Sequence, residues 1–250
     1  MSGTLDVPAA ASAQRPPPPD ARGGALLGAA VVVIWNDVAD EGHGQFYAWH
    51  DHEHLPERLA IPGFARGRRY AKPGHSPRWL TLYEAESLDV LVAPAYVARL
   101  NAPTPLTRAA LAHFRNTSRA VCRVACSRGG SSGGHLLALR FDVPSHRVAD
   151  LEQSVRDDLF PAVLANGGIV ACHLCHTDPG ASYLDTAECS TRRFDVPPWV
   201  LLVEATTAAA AQRVHEGPVR AALDALGATV RPDAAVYALE ICRLRTAEAG

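Results

Sequence analysis

The chain has 250 residues, of which 48% are apolar, and this suits one large or two small domains with a buried core. Its formal net charge is −2 and its pI is about 6.6, so charge gives no case for binding nucleic acid or an anionic membrane. Its six cysteines, with no recognisable secretory leader, predict reduced thiols and a cytoplasmic location.

Composition divides the chain into four segments. Residues 1–24 are rich in Ala, Pro and Gly and are expected to be a disordered tail. Residues 25–127 and 135–245 are predicted to be folded units, joined by a flexible Gly/Ser linker at 128–134. The apolar run 25–34 follows a proline-rich stretch and is too short to span a membrane, so we interpret it as a buried strand.

Residues of the first unit recur in the second at nearly constant offsets. The offset is about 105 residues in the earlier part of the unit and 120 residues in its later part. The matched pairs are Pro56 with Pro161, Gly63 with Gly168, Trp35 with Phe141, Trp79 with Trp199, Glu84 with Glu204 and Cys122 with Cys242. The change of offset falls between about 177 and 197, where a long polar loop is predicted. A tandem repeat with one inserted loop explains the pattern.

Each unit is predicted to run strand, helix, strand, strand, helix, strand. In the first unit the predicted strands are 26–35, 63–72, 79–84 and 118–126, and the helical segments are 43–60, 87–99 and 104–115. In the second, the strands are 135–143, 168–177, 199–204 and 234–244, and the helices are 146–165 and 207–226. This βαββαβ order is ferredoxin-like. The predicted fold class is α+β, with two fused ferredoxin-like units forming an intrachain dimeric α/β barrel.

The segment from Trp49 to Phe64 resembles the signature of EthD-like proteins in the dimeric α+β barrel superfamily. The matching features are His54-Leu55-Pro56 at a helix end, then Pro62-Gly63, then Arg69-Tyr70 on the second strand. The resemblance implies the barrel fold. The superfamily includes cofactor-free monooxygenases, lactone isomerases, polyketide cyclases and haem enzymes, so the resemblance names no reaction.

His54, Arg69 and Tyr70 are the candidate catalytic residues. An imidazole at a helix end is suited to general acid–base chemistry, although it is equally suited to capping the helix. Arg69 and Tyr70 are adjacent on a strand and point to opposite faces, so at most one of them shares a pocket with His54. The candidate ligand-binding residues are Trp35, Phe46, Trp49, His50, Phe64 and Tyr83, for which core packing is the alternative.

The second unit lacks the polar part of this pattern. Leu159 stands at the position of His54, and Leu174-Cys175 stand at those of Arg69-Tyr70. The prolines and glycines that shape the backbone remain. We therefore expect a polar site in the first unit and a degenerate one in the second.

Metal and haem motifs in the chain are weak. His50 and His54 have the spacing of a helical zinc site, but no third ligand is evident, and a solvated polar face is favoured. Cys172-His173-Leu174-Cys175-His176 matches the Cys-x-x-Cys-His pattern of haem attachment, yet a strand places its cysteines on opposite faces. No metal and no cofactor are predicted, with noncovalent haem beside a histidine as an alternative.

The predicted function is binding of a small, partly apolar organic ligand between sheet and helices of the first unit. A cofactor-free oxygenase, isomerase or cyclase acting on an enolisable or phenolic substrate is compatible, with His54 as base and Tyr70 or Arg69 stabilising an oxyanion. The alternatives are a noncatalytic binding or interaction module and a noncovalent haem protein. The tandem unit is also a candidate homodimer.

Overall fold

Each half of the chain folds into a βαββαβ unit, and the two units close into one antiparallel barrel. The computed structural model describes residues 25–188 and 195–246. The predicted disordered tail 1–24 and Cys189 lie outside the described residues. Among the described residues, no helix combines the length and the apolar composition needed to span a bilayer.

The elements follow the predicted order. The first unit contains β1 (Ala30–Val38), α1 (His43–Trp49), a π-helical turn (His50–His54), α2 (Leu55–Leu59), β2 (Phe64–Ala71), β3 (Trp79–Ala85), α3 (Pro94–Asn101), α4 (Pro105–Ala112) and β4 (Phe114–Gly129). The second contains β5 (His135–Asp142), α5 (Val148–Ser154), a π-helical turn (Val155–Leu159), α6 (Phe160–Leu164), β6 (Ile169–Thr177), α7 (Pro179–Ser182), β7 (Trp199–Ala205), α8 (Ala208–Val214), a π-helical turn (His215–Val219), α9 (Arg220–Ala225), β8 (Thr229–Val230) and β9 (Ala235–Leu244).

Strand pairing across the two units closes the barrel. The order is β4-β1-β3-β2 in the first unit and β9-β5-β7-β6 in the second. Antiparallel pairs β4–β6 and β2–β9 join the sheets at both seams. The eight strands therefore leave no unpaired edge, while the short β8 pairs with the end of β5. The predicted fold class is confirmed.

The strand registers correct one alignment made from the sequence. Trp35 pairs with Leu80, and Arg140 pairs with Val200 in the same way, so Trp35 corresponds to Arg140 and not to Phe141. A register error of one residue transfers a side chain to the opposite face of the sheet. Accordingly Phe141 occupies the helix-facing position that Asn36 occupies in the first unit.

Two predicted boundaries also differ from the structure. β1 begins at Ala30 rather than at 26. Just before the strand, the backbone at Gly28 lies so close to β3 that a β-carbon there would overlap the carbonyl oxygen of Ala85. β4 continues to Gly129 because it pairs with β6 along its second half, so the first two residues of the predicted linker are strand.

The face of the sheet that points into the barrel is filled by side chains. One part is apolar, and Trp35 and Tyr70 belong to it. The other part is a buried charge cluster whose members are all at most 7% exposed: Arg66, Arg68, Glu84, His173 and Glu204. The Arg68 guanidinium bridges the units, since it lies 3.0 Å from Glu84 Oε1 and 2.9 Å from Glu204 Oε1. Arg66 completes the cluster with two hydrogen bonds to Glu84.

Replacing Glu204 with Gln is expected to destabilise the protein by about 3–5 kcal/mol, because it leaves Arg68 with one of its two buried carboxylates. The measurement is the free energy of unfolding in denaturant. Glu86→Gln is the matched control, since Glu86 is exposed and follows the same strand as Glu84. Equal stability of the two variants would contradict the structural role of the charge cluster.

The buried Glu204 carboxylate also predicts that the fold loses stability in acid. Burial alone would raise the pKa of Glu204, but the His173 ring nitrogen 3.5 Å away and the charge of Arg68 lower it to about 2, against an ordinary value of 4.5. A lowered folded-state pKa stabilises the fold above pH 4.5, and this contribution is lost as the pH falls from 4.5 towards about 2. Glu204→Gln should therefore show a shallower loss of stability than the wild type across this pH window.

The described cysteines are free thiols, and four of them are buried: Cys122, Cys126, Cys172 and Cys175. Burial raises the pKa of Cys122 and of Cys172 to about 12, so little thiolate forms at neutral pH. Alkylation of the native protein, read by mass spectrometry, should label the exposed Cys242 and spare these four. All six cysteines should react after denaturation without reduction, and fewer would indicate a disulfide.

Candidate functional site

A cavity lies between the sheet and the helices of the first unit. The space inside it that water can enter is about 50 Å³, enough for a few water molecules, and the cavity is partly open to solvent at its mouth. The lining residues come from strands β1, β3 and β4, from the helical segments of the first unit and from the β6–β7 loop: Ile34, Asn36, Phe46, Trp49, His50, His54, Arg58, Thr81, Tyr83, Tyr96, Leu100, Leu111, Phe114, Thr117, Arg119 and Glu188. We call this space the first-unit cavity.

A π-helical turn places both histidines in this cavity. Pro56 lacks the N–H group that would continue the α-helical hydrogen bonding one turn back, and the turn from His50 to His54 lies directly before it. Pro161 follows the corresponding turn in the second unit. His50 and His54 are buried, and their ring centroids are 5.9 Å apart. His52 lies between them in the turn but faces solvent.

Arg69 fixes the tautomer of His50. Arg69 Nη1 lies 2.9 Å from His50 Nδ1, and a guanidinium can only donate, so Nδ1 must accept. Burial is the main cause that lowers the pKa of His50, and the charge of Arg69 acts in the same direction. The neutral ring therefore carries its proton on Nε2, which lies 3.3 Å from the Tyr83 hydroxyl oxygen.

This chain of hydrogen bonds orients the Tyr83 hydroxyl. Because Tyr83 Oη accepts from His50 Nε2, its own hydrogen is directed away from His50 and is available to a group in the cavity. Burial raises the pKa of Tyr83, so the phenol stays protonated at neutral pH. Tyr83 thus presents an oriented hydrogen-bond donor to the cavity. Arg69, which sets this orientation through His50, is itself held by ion pairs with Asp51 and Glu240.

The loop between β6 and β7 contributes a residue that the sequence did not predict for the site. Glu188 Oε1 lies 2.5 Å from Arg58 Nη2, and the Glu188 backbone N–H donates to the Leu100 carbonyl. The loop reaches the first-unit cavity because β6 is paired with β4, so its continuation passes over the helix side of the first unit. Part of the predicted insertion therefore lines the cavity beside Arg58.

The structure separates the predicted site residues into three places. Phe46, Trp49, His50, His54 and Tyr83 line the first-unit cavity. Behind the lining lie Arg69, against His50, and Phe64, whose ring packs 5.3 Å from that of Tyr96. Trp35 and Tyr70 point into the barrel interior, on the opposite face of the sheet, so the structure does not bring them to His54. This follows from the alternation of side chains along β1 and β2.

The corresponding positions of the second unit are apolar and closed. Residues that line the cavity have counterparts that belong to one buried hydrophobic cluster: Asn36 with Phe141, His50 with Val155, His54 with Leu159, Arg58 with Val163, Thr81 with Leu201, and Tyr83 with Val203. The same backbone framework thus carries a polar cavity in one half and a packed core in the other. Packing of the fold does not require the polar residues.

The described residues give no support for a metal or a haem in the first-unit cavity. No group of three or more His, Cys, Asp or Glu side chains suitable for a metal ion occurs among them. Both ring nitrogens of His50 have hydrogen-bond partners, which leaves none for a haem iron. The His54 ring is packed 4.2 Å from the ring of Trp49, and Tyr83 contacts it edge-on. This enclosure does not fit a porphyrin beside His54.

Comparison with known proteins identifies the fold and no family. No protein-family model and no curated protein match the chain. An anthrone oxidase-like protein matches with a TM-score of 0.58 and 11% identity, covering 88% of this chain and 94% of that one. A heme-binding protein from Thermus thermophilus matches with a TM-score of 0.51 and 13% identity, covering 86% of this chain and 92% of that one.

A candidate monooxygenase from Lactobacillus acidophilus matches with a TM-score of 0.53 and 6% identity, covering 86% of this chain and 96% of that one. These solved structures are dimeric α+β barrel proteins, and at such low identity they show the fold alone. The narrower EthD-like resemblance stays a prediction.

His54 and Leu159 occupy matching helix positions in the two units, and we expect their truncation to alanine to cost different amounts of stability. Leu159→Ala should destabilise the protein by about 2–5 kcal/mol, because it leaves a void in a packed core. His54→Ala should cost less, since His54 borders a cavity that admits water. Melting temperatures of both variants test this. A larger loss for His54→Ala would identify His54 as a structural residue.

Proposed function

We propose that the first-unit cavity binds a small, planar, partly apolar molecule with an enolisable or phenolic oxygen, and that it catalyses proton transfer without a cofactor. The observation that carries the proposal is the contrast between the units. Buried polar groups cost stability unless they are paired, yet the first unit keeps six polar lining residues where the second unit has apolar ones. Such a one-sided arrangement is typical of a site retained for binding or chemistry.

In the proposed reaction, His54 and Tyr83 have separate roles. An imidazole nitrogen of His54 takes a proton from the carbon next to a carbonyl group, and the electron pair moves onto the oxygen as an enolate. The Tyr83 hydroxyl, oriented through His50 and Arg69, donates to that oxygen where negative charge develops. Return of the proton to another carbon is an isomerisation, and this proton abstraction is also the first step of cyclase-type and oxygenase-type reactions on such substrates.

The aromatic lining favours an apolar ligand body. Phe46, Trp49 and Phe114 surround one side of the cavity, with ring centroids between 5.6 and 6.3 Å apart. Rings at these separations contact one another, so together they offer a continuous apolar wall that a flat ligand can lie against and that excludes water from the proton transfer. The predicted partner is therefore a small organic ligand, and homodimerisation of the whole chain stays a prediction.

A melting-temperature screen with aromatic ketones and phenols tests binding. A ligand present at about one hundred times its Kd should raise the Tm by about 5–10 °C. Tyr83→Phe should weaken binding about two- to tenfold, because one hydrogen bond is lost. Tyr70→Phe is the matched control and should leave affinity unchanged, since Tyr70 lies in the barrel interior. The reverse pattern would place the site inside the barrel.

Catalysis is distinguished from simple binding by isotope exchange. Wild-type protein in D₂O should accelerate exchange of the benzylic protons of phenylpyruvate for deuterium, as followed by NMR. His54→Gln should abolish the acceleration while the ligand still binds. Binding without accelerated exchange would instead support a noncatalytic ligand-binding module.

A further inference from the structure

The first-unit cavity contains a buried cation that is only partly satisfied. Arg58 is 2% exposed and lines the cavity. Its Nη2 donates to Glu188, whereas its Nη1 has no hydrogen-bond partner among the described residues. The nearest carboxylate recorded for Nη1 is Glu57 Oε2 at 3.8 Å, which is beyond hydrogen-bond distance. A buried guanidinium with an open N–H group is costly unless something binds it.

The open N–H group of Arg58 favours a ligand that carries a negative charge. Glu188 accepts from Nη2, and Glu57 is too far from Nη1 to accept a hydrogen bond. His50 is neutral, because its Nδ1 accepts from Arg69.

We propose that Arg58 is the anchor for a carboxylate on the ligand, so that the substrate class is an aromatic keto or phenolic acid rather than a neutral ketone or phenol. This inference rests on the proposed function of the same cavity and narrows its substrate. The carboxylate accepts from Arg58 Nη1 while Nη2 keeps its bond to Glu188. The ligand's reacting oxygen then lies towards Tyr83 and its ring towards Phe46 and Trp49.

A purely structural role for Arg58 explains less. The second unit has Val163 at this position, so the helix and sheet pack without a charge there. The Arg58–Glu188 ion pair alone would use one edge of the guanidinium and leave the other edge dry. An arginine has planar, paired donors that match a carboxylate, and this chemistry is lost with Lys or Gln.

The test compares phenylpyruvate with phenylpyruvamide, its neutral isostere, by calorimetric titration. Wild-type protein should bind the acid about tenfold more tightly than the amide, because a charge-assisted hydrogen bond is worth that much in affinity. Arg58→Gln should remove this preference. Glu188→Gln should tighten binding of the acid, since it removes the carboxylate that is hydrogen-bonded to Arg58. Arg108→Gln, on the exposed face of α4, is the control and should behave as the wild type.

Arg58→Gln removes the Arg58–Glu188 ion pair and can destabilise the fold, so the double variant Arg58→Gln/Glu188→Gln is measured beside it. It carries no buried charge at this pair and should also lose the preference for the acid. Equal binding of acid and amide to the wild type, with normal proton exchange, would overturn the anchor and leave the proposed function intact. Absence of binding and of exchange for both compounds would overturn the proposed function, and the anchor with it.

Discussion

Closure of the sheet into a barrel is the constraint that decides where a ligand can bind. The seams β4–β6 and β2–β9 satisfy the edge strands and turn one face of every strand inward. That inward face is occupied by packed apolar side chains and by the buried charges around Arg68. The helix-facing layer of each unit is another place for a cavity between packed elements. The first-unit cavity lies in this layer.

The two helix-facing layers show how one framework serves two purposes. In the second unit the layer is a hydrophobic core, whose Leu159 and Val203 stabilise the fold by burial. In the first unit the same positions hold His54 and Tyr83, which line the first-unit cavity. Polar residues beside a cavity stabilise the fold less than packed apolar side chains do. The β6–β7 loop then adds Glu188 from the other half of the chain. The asymmetric cavity thus depends on both units, although its framework belongs to one.

Much of the fold was predictable from the sequence because it depends on repeated backbone signals. The glycines, prolines and alternating strands that recur in both halves gave the strand order. His50 and His54 share a helix face, as positions four apart predict, but this face is buried against the sheet and not solvated as expected. Trp35 and Tyr70 were placed wrongly relative to the cavity. Period-two alternation separates the faces of a strand but does not say which face meets the helices.

Arg58 and Glu188 could not be recognised from the sequence, for a physical reason. Their proximity arises from the seam between β4 and β6, which brings residues 130 positions apart into an ion pair. Neither residue belongs to a motif, and a charged residue on a helix or in a loop is usually solvated. The inserted loop of the second unit, which has no counterpart in the first, indicates the region of Glu188 but neither the residue nor its pairing with Arg58.

The location of a bound ligand is the most direct test of whether the first-unit cavity is the functional site. A crystal of the full chain soaked with phenylpyruvate should show ligand density between the helices and the sheet of the first unit, with an oxygen within hydrogen-bond distance of Tyr83 Oη. The matching region around Leu159 should remain closed. Ligand density inside the barrel beside Tyr70, or against the second unit, would contradict the assignment of the first-unit cavity as the functional site.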